Sequence, residues 1–171
     1  MAGFFIYGVV MKNILTIEEA VTWKKTLGDK KVVVTNGVYD LMHPGHIQYL
    51  NMAKELGDFL LICCNGDASV RAIKGPKRPI IDEQNRAFML SSLKCVDKVV
   101  IFQEPEALNS LIAIEPEIYV KGGDYTIDTI NQNERHALEK IGTDIQFIPF
   151  KDGFSTTLMI ERILDAYGEE K

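Results

Sequence analysis

The chain has 171 residues, of which 46% are hydrophobic and 25% charged, and its formal net charge is −5. This length and composition are typical of one globular domain with a substantial core. The acidic balance argues against a nucleic-acid-binding protein, which usually carries a basic excess, but it allows a locally basic pocket for a small anion.

The start of the chain and the three cysteines indicate in which cellular compartment the protein is expected. The apolar residues 4–10 are too few for a membrane span, and they lack the flanks of a signal peptide. Cys63, Cys64 and Cys95 show neither metal-ligand spacing nor a disulfide framework, which favours a reducing cytoplasm. We therefore expect a cytoplasmic protein with no membrane segment. Residues 1–13 would be an N-terminal extension of undetermined order, and residues 14–171 a single domain.

The hydrophobic pattern alternates between helices and strands. Thr16 and Glu19 form a capping box before an apolar stripe with helical spacing, which predicts a first helix ending near Gly28. Strands are predicted over residues 31–35, 59–64, 98–102, 118–121 and 144–150, and further helices over residues 44–57, 82–94, 105–114, 131–141 and 158–166. Residues 65–79 are polar and basic, and they predict a mobile loop with one helical turn near residues 68–73.

This order predicts an α/β fold with a doubly wound, five-stranded parallel sheet. Ligands of such folds bind beyond the carboxyl ends of the strands, where the strand order reverses. Three polar segments that contain glycine follow predicted strands, and the topology brings them towards one pocket. They are residues 36–46, 121–125 and 151–157.

The loop after the first strand of that sheet has the features of a phosphate site. Gly37 allows the backbone to approach an anion closely, and the helix that starts near Pro44 offers free N–H groups. His43 and His46 flank this helix start, with only Gly45 and Pro44 between them, and they can donate hydrogen bonds to phosphate oxygens. Two other interpretations stay open: a metal-binding histidine pair, for which no third ligand is evident, and a simple turn with two polar residues.

Three weaker signals lie elsewhere. Residues 155–157 carry hydroxyl groups at a predicted helix start, where they would bind phosphate or merely cap the helix. Lys74 and Arg86 would neutralise phosphate charge or lie on a solvated surface. Asp124, in the segment 121–125, would hold ribose hydroxyls or belong to a tight turn.

Two of these segments match motifs of a known superfamily. His43-Pro44-Gly45-His46 resembles the H-x-G-H signature of the cytidylyltransferase-like nucleotidyltransferases, and Ser155-Thr156-Thr157 resembles their second, hydroxyl-rich motif. The closer resemblance is to the D-glycero-β-D-manno-heptose 1-phosphate adenylyltransferases, the transferase half of bifunctional ADP-heptose synthases. It covers roughly residues 14–167, and the run Lys121-Gly122-Gly123-Asp124-Tyr125 is its most specific part. Departures at Val38, Tyr39, Pro44 and Phe154 remove no phosphate ligand.

The resemblance implies that an oxygen of the sugar 1-phosphate attacks the α-phosphorus of ATP, so that AMP is transferred and pyrophosphate leaves. By the same resemblance, His43, His46 and Lys74 are catalytic, and Lys74 and Arg86 bind the substrate phosphate. The residues implied to bind the nucleotide are Thr35, Asn36, Gly37, Tyr39, Gly45, Lys121, Gly123, Asp124, Tyr125, Ser155, Thr156 and Thr157. Mg²⁺ would bridge the triphosphate through phosphate oxygens and water, without a metal ligand from the protein.

Alternatives and partners follow from the same comparison of motifs. The alternatives are a cytidylyltransferase for glycerol phosphate or another alcohol phosphate, an adenylyltransferase similar to FAD synthetase, and a nucleotide-binding module without turnover. The expected partners are ATP and a sugar phosphate, with neither nucleic acid nor membrane. Because the kinase half is absent from this sequence, a separate heptose kinase is expected. A homodimer is compatible with the resemblance.

Overall fold

The computed structural model describes residues 12–149 and 155–168, together with the backbone of residues 5–6 and 9–10. Most of the predicted N-terminal extension therefore lies outside the described residues. The same holds for residue 150, at the end of the last predicted strand, and for residues 151–154 of the third polar segment. The division into an extension and one domain stays a prediction.

Helices and strands alternate along the described chain, as the pattern predicts. Two short strands, β1 (Phe5–Ile6) and β2 (Val9–Val10), pair in antiparallel fashion. The other elements are β3 (Ile14–Leu15), α1 (Ile17–Lys25), β4 (Val32–Gly37), α2 (Pro44–Lys54), β5 (Phe59–Asn65), α3 (Asp67–Lys74), α4 (Glu83–Ser91), β6 (Lys98–Phe102), α5 (Leu108–Ile114), β7 (Ile118–Gly122), α6 (Gln132–Ile141), β8 (Asp144–Ile148) and α7 (Thr156–Tyr167).

The main sheet of the described residues is parallel, with six strands in the order β3-β6-β5-β4-β7-β8. This confirms the α/β, doubly wound fold class. The sequence predicted five of these strands. The sixth, β3, pairs with the edge of β6 through Ile14 and Val99. Since β3 has only two residues, it is too short to show a hydrophobic period.

The strand order reverses at β4, which lies between β5 and β7. Chains leaving β4 and β7 therefore turn towards opposite faces of the sheet and open a crevice between them. Helices cover both faces. Leu50 and Leu90 pack on one face beside Cys64, whereas Leu111 and Leu138 pack on the other beside Cys63. No helix among the described residues is long and apolar enough to cross a membrane, and the cytoplasmic location stays a prediction.

The segment after β5 differs from the predicted mobile loop. Its first half forms the helix α3, which begins after Gly66 and continues through Lys74. Val70 is fully buried, and the hydroxyl of Ser69 accepts a hydrogen bond from the Asn65 amide at 2.9 Å. The basic residues of α3 lie on its exposed face, and their charge hides the short apolar face in the sequence pattern.

Candidate active site

A cavity of about 470 Å³ opens at the carboxyl ends of β4 and β7. Segments from both sides of the strand-order reversal line its wall, together with the start of α7. The predicted site residues in this wall are Asn36, Gly37, Tyr39, His46, Lys74, Lys121, Tyr125, Thr156 and Thr157. The topology thus brings together residues as far apart in sequence as Asn36 and Thr157.

The two histidines of the loop are stacked at the start of α2. Their ring centroids lie 3.8 Å apart, with an angle of 25° between the rings. His43 is the N-cap residue of α2, and its backbone N–H donates to Nδ1 of His46 at 3.4 Å. Because Nδ1 of His46 accepts, the proton of the neutral ring lies on Nε2. His46 can therefore donate to a ligand through Nε2.

Burial determines the charge of this pair. It lowers the pKa of His46 to about 4, and the neighbouring His43 acts in the same direction. Burial also lowers the pKa of His43. Both rings are consequently expected to be neutral near pH 7, so that they offer directed hydrogen bonds rather than fixed positive charges.

Tyr39 holds one side of His46. Its ring centroid lies 5.4 Å from that of His46, and its backbone adopts a left-handed conformation with φ 51°. Gly37 provides the space for this ring, since a Cβ at position 37 would lie 2.9 Å from Cε2 of Tyr39. The predicted close approach of Gly37 to an anion stays a prediction, whereas the structure shows that glycine at this position leaves room for the Tyr39 ring.

Asp40 fastens the same loop to the chain that follows α3. Its buried carboxylate accepts hydrogen bonds from the backbone N–H groups of Ile80 and Ile81, each at 2.8 Å, and forms an ion pair with Arg78. Burial would raise the pKa of Asp40, but the two N–H groups and Arg78 together lower it. The basic segment after α3 is thus anchored at residues 78–81, and Lys74 lies just before this anchor at the cavity wall.

Arg86 differs from its predicted role as a phosphate ligand. Its side chain is fully buried in α4 and is absent from the cavity wall. The guanidinium donates to the carbonyl oxygens of Ile81, Val38 and Asn65 at 2.8, 2.6 and 2.7 Å, and it forms an ion pair with Asp67 at 2.7 Å. These bonds connect the loop after β4 to the end of β5 and to the chain just before α4, so Arg86 holds the backbone around the cavity in place.

A polar cluster lies across the sheet from the histidines. Lys121 donates to Oδ1 of Asn36 at 2.6 Å, and the hydroxyl of Tyr119 lies 2.8 Å from the same oxygen. Oε2 of Glu134 lies 3.0 Å from that hydroxyl, while its Oε1 accepts the N–H of Ala107 at 2.9 Å. Burial lowers the pKa of Lys121, and the carboxylate of Glu134 opposes this effect.

Comparison with known proteins assigns the chain to a family. The sequence profile of the cytidylyltransferase-like family matches residues 34–162, which include both motifs and the carboxyl ends of β4 and β7 at the cavity. The chain belongs to the cytidylyltransferase-like family. The H-x-G-H motif of this cytidylyltransferase-like protein begins at His43, nine residues after the start of the matched region.

Individual relatives agree with this membership. The bifunctional protein HldE of Geobacter sulfurreducens is 44% identical over 94% of this chain, and this chain covers 32% of that protein. The chain therefore spans about a third of the length of the curated relatives it matches. The lipopolysaccharide core biosynthesis protein from Thermoplasma volcanium GSS1 has 28% identity and a TM-score of 0.60, covering 73% of this chain and 99% of that protein.

A more distant structure agrees in fold alone. The pantoate-beta-alanine ligase from Francisella tularensis, solved with beta-gamma ATP and beta-alanine, is 14% identical to this chain with a TM-score of 0.56. The two structures overlap over 92% of this chain and 79% of the ligase. The cytidylyltransferase-like chain thus shares a broad architecture with proteins that differ widely from it in sequence.

Several predicted site residues lie beside the cavity rather than in its wall. Thr35 is buried, with its hydroxyl 2.7 Å from that of Tyr49, and Gly45 is buried in the first turn of α2. Gly123 forms a turn with φ 108°, whereas Asp124 is exposed. Ser155 is the N-cap of α7 and accepts the N–H of residue 158 at 3.1 Å. These positions shape the site, and their predicted contacts with nucleotide stay predictions.

Sequence reasoning missed several residues of the cavity wall. They are Asp40, Tyr49, Arg78, Glu106, Asn131 and Glu134. Asn131 caps α6 and accepts from the N–H groups of Asn133 and Glu134, so the predicted start of this helix near residue 131 is confirmed, but the pattern does not indicate that Asn131 lies in the cavity wall. No local signal indicates that Glu134 turns inward, because the same helix presents charged residues on its outer face.

The described residues offer few groups that could bind a metal ion. Nowhere in residues 12–149 and 155–168 do three or more His, Cys, Asp or Glu side chains group so as to hold an ion. Asp40, the carboxylate within the loop of residues 36–46, already accepts hydrogen bonds from Arg78 and two backbone N–H groups. A Mg²⁺ site made by the protein does not fit this arrangement, and the ion expected with ATP would have to be bound by phosphate oxygens and water.

Proposed function

We propose that this chain transfers AMP from ATP to a sugar 1-phosphate, specifically D-glycero-β-D-manno-heptose 1-phosphate, and releases pyrophosphate. The observation that carries the proposal is the neutral, stacked His46 in the wall of one cavity with Lys74 and the start of α7. The resemblance to heptose 1-phosphate adenylyltransferases supports the choice of acceptor. The name HldE, carried by relatives that are 41% to 49% identical, is consistent with it.

The phosphates are proposed to bind between two helix N-termini. The first turn of α7 presents the backbone N–H groups of Thr156 and Thr157, and α2 and α7 both direct the positive ends of their dipoles towards the cavity, an arrangement that suits an anion. Thr156 and Thr157, in the first turn of α7, line the cavity and would hold the departing β- and γ-phosphates. Lys74 would neutralise charge on the acceptor phosphate or the α-phosphate from the end of α3.

His46 would stabilise the transition state. Attack at the α-phosphorus increases negative charge on the non-bridging and leaving oxygens, and Nε2–H of His46 is proposed to donate to one of them. A donor held in place before the reaction needs no reorganisation, and such donors contribute roughly 10²–10³ in rate. His43 would orient His46 through the stacked rings and its backbone N–H, and no covalent enzyme intermediate is required.

The proposal also includes the source of the sugar phosphate and the cellular compartment. A kinase that phosphorylates the anomeric hydroxyl of the sugar must supply the acceptor, and we propose that a separate protein or domain does so. Reduced thiols at Cys63, Cys64 and Cys95 agree with a cytoplasmic setting. The homodimer stays a prediction.

A nucleotide and acceptor panel tests the function. Pyrophosphate release would be measured with ATP and with CTP, each against heptose 1-phosphate, glycerol 3-phosphate and flavin mononucleotide. We expect release only with ATP and heptose 1-phosphate. Release with CTP and glycerol 3-phosphate, or with ATP and flavin mononucleotide, would assign one of the alternative enzymes. ATP binding without any release would identify a nucleotide-binding module.

A further inference from the structure

The cavity has two chemically different ends. At one end are the starts of α2 and α7, with Lys74 in the wall, and this end suits a polyanion. At the other end the wall contains Glu106, Glu134 and Lys121, and the carboxylate of Glu134 interacts electrostatically with the ammonium of Lys121. Two carboxylates beside one ammonium disfavour a triphosphate there. The cavity therefore has a phosphate end, which is positively polarised, and a polar end, which has no excess of positive charge.

Strand register explains why the polar end lies across the sheet from His46. Thr35 of β4 pairs with Val120 of β7, and Thr35 bonds to Tyr49 of α2. Successive side chains of a strand point to opposite faces. The next residues, Asn36 and Lys121, therefore project to the face covered by α5 and α6, where their side chains bond to each other at 2.6 Å.

The side chains at the polar end have hydrogen-bond donors and acceptors that are available to a ligand. The hydroxyl of Tyr119 has one proton but lies within 3.0 Å of both Oδ1 of Asn36 and Oε2 of Glu134, so it can donate to only one of them. Lys121 has three donors, and among the described residues one is directed to Asn36. An acceptor and two donors thus remain within a cluster that is otherwise buried.

The amide of Asn131 adds to this capacity. Its Oδ1 accepts from two backbone N–H groups at the start of α6, which fixes the side chain at the cavity wall. Among the described residues Nδ2 of Asn131 has no hydrogen-bond partner, so it is available to a ligand in the cavity. Mixed donors and acceptors with a fixed orientation are what neighbouring hydroxyl groups require, whereas a purine base needs flat apolar surfaces.

We propose that the end of the cavity formed by Lys121, Asn131 and Glu134 binds the hydroxyl groups of the acceptor sugar and selects a polyhydroxylated acceptor. This inference rests on the proposed function and deepens it, since it assigns Lys121 to the acceptor rather than to the nucleotide. The ribose of ATP carries the same vicinal-hydroxyl chemistry. The two sources are separated by asking which substrate loses affinity when the cluster is changed.

The test uses two variants with matched controls. Asn131→Ser keeps an N-cap oxygen but removes the amide donor, and Glu134→Gln keeps the shape but removes the charge. The exposed pair Asn133→Ser and Glu139→Gln on the same helix provides the controls. Thermal unfolding verifies folding, and Asn131→Ser keeps the test decisive if Glu134→Gln fails to fold.

We expect the variants to change KM for the sugar phosphate but not KM for ATP. Loss of a hydrogen bond to a charged or fixed polar group is worth about tenfold to a hundredfold in affinity. We expect KM for the sugar phosphate to rise by about that factor, while KM for ATP changes less than about twofold and the control variants match wild type. A rise confined to ATP, an equal rise for both substrates, or no rise in a folded variant would overturn the proposal.

Failure of the proposed function can be recognised separately. If wild type releases no pyrophosphate, the function fails, and the subsite is then judged by calorimetric titration of wild type and both variants with heptose 1-phosphate and with ATP. Weaker binding of the sugar phosphate alone in the variants supports the subsite. Unchanged binding, or no binding of the sugar phosphate to wild type, rejects it.

Discussion

The backbone N–H of His43 donates to Nδ1 of His46, whose ring stacks on that of His43 with centroids 3.8 Å apart. This arrangement divides the labour within the H-x-G-H loop. His43 orients its partner from the N-cap of α2, and His46 directs its remaining N–H towards the cavity. The same spacing of two histidines in an extended loop would allow neither contact.

Removal of the His46 side chain tests this division. We expect His46→Ala to lower kcat by roughly 10²–10³, because one preorganised donor to the developing charge is lost. Steady-state pyrophosphate release, with thermal unfolding as the check of folding, measures the effect. The exposed His136 on α6 provides the control, and His136→Ala should match wild type. Unchanged turnover in a folded His46→Ala variant would exclude His46 from the mechanism.

The lowered pKa of His46 makes stability depend on pH. Its pKa is about 4 in the folded chain, whereas an unperturbed histidine in the unfolded chain has a pKa of 6.5. Between pH 4 and pH 6.5 the unfolded chain therefore binds more protons than the folded chain. The stabilisation is therefore complete above pH 6.5 and is lost as the pH falls from 6.5 towards 4. Allowing for partial exposure of the ring, we expect a loss of about 2 kcal/mol.

Urea denaturation of wild type and His46→Asn at several pH values between about 7 and 4 measures this loss. Asparagine has no titrating ring, so the free energy of unfolding of the variant should fall less steeply with decreasing pH. Parallel curves for the two proteins would show that His46 is not the group responsible.

Arg86 is expected to contribute to stability and loop position rather than to bind phosphate directly. Arg86→Met leaves three backbone carbonyl oxygens without their donor and Asp67 without its ion-pair partner. Breaking a buried ion pair in this way costs about 3–5 kcal/mol in the free energy of unfolding. Arg71→Met, on the exposed face of α3, should cost less than about 0.5 kcal/mol. If Arg86→Met instead left stability unchanged and raised only KM for the acceptor, direct phosphate contact would be supported.

Lys74 should behave in the opposite way. It is exposed at the end of α3, so Lys74→Ala should change the free energy of unfolding by less than about 0.5 kcal/mol. We expect kcat/KM to fall by roughly 10², since a cation beside the reacting phosphate is removed. The neighbouring exposed Lys77 lies outside the cavity wall, and Lys77→Ala is the matched control. Equal losses in the two variants would indicate a general effect of surface charge.

Gly37→Ala tests the packing beneath the loop. The added Cβ would lie 2.9 Å from Cε2 of Tyr39, whose ring is buried beside His46. We expect a loss of about 1–3 kcal/mol in the free energy of unfolding, and reduced turnover as the Tyr39 ring shifts. In a Tyr39→Ala background the same change should cost much less, because the clash is absent. Equal costs in both backgrounds would place the strain elsewhere.

Local signals explain which elements could be predicted. Thr16 and Glu19 form both hydrogen bonds of the predicted capping box, at 3.0 and 3.2 Å, because all the atoms involved lie within one helical turn. Strand β6 occupies residues 98–102 as predicted, since its apolar run is bounded by polar residues. The helix α3 is longer than the predicted single turn because only Ser69 and Val70 of it are buried, and so short an apolar face shows no helical period in the sequence.

The sequence by itself determined the order of helices and strands, the doubly wound fold and the loop that carries the two histidines. Those properties are encoded in spacing along the chain: the hydrophobic period, capping residues, and glycine at turns. Only the tertiary structure decided that Arg86 is buried under the loop, that Asp40 anchors residues 78–81, and that Glu134 turns into the cavity. These outcomes depend on contacts between residues far apart in sequence, and a charged residue has the same local pattern whether it lies on the surface or satisfies buried carbonyl groups.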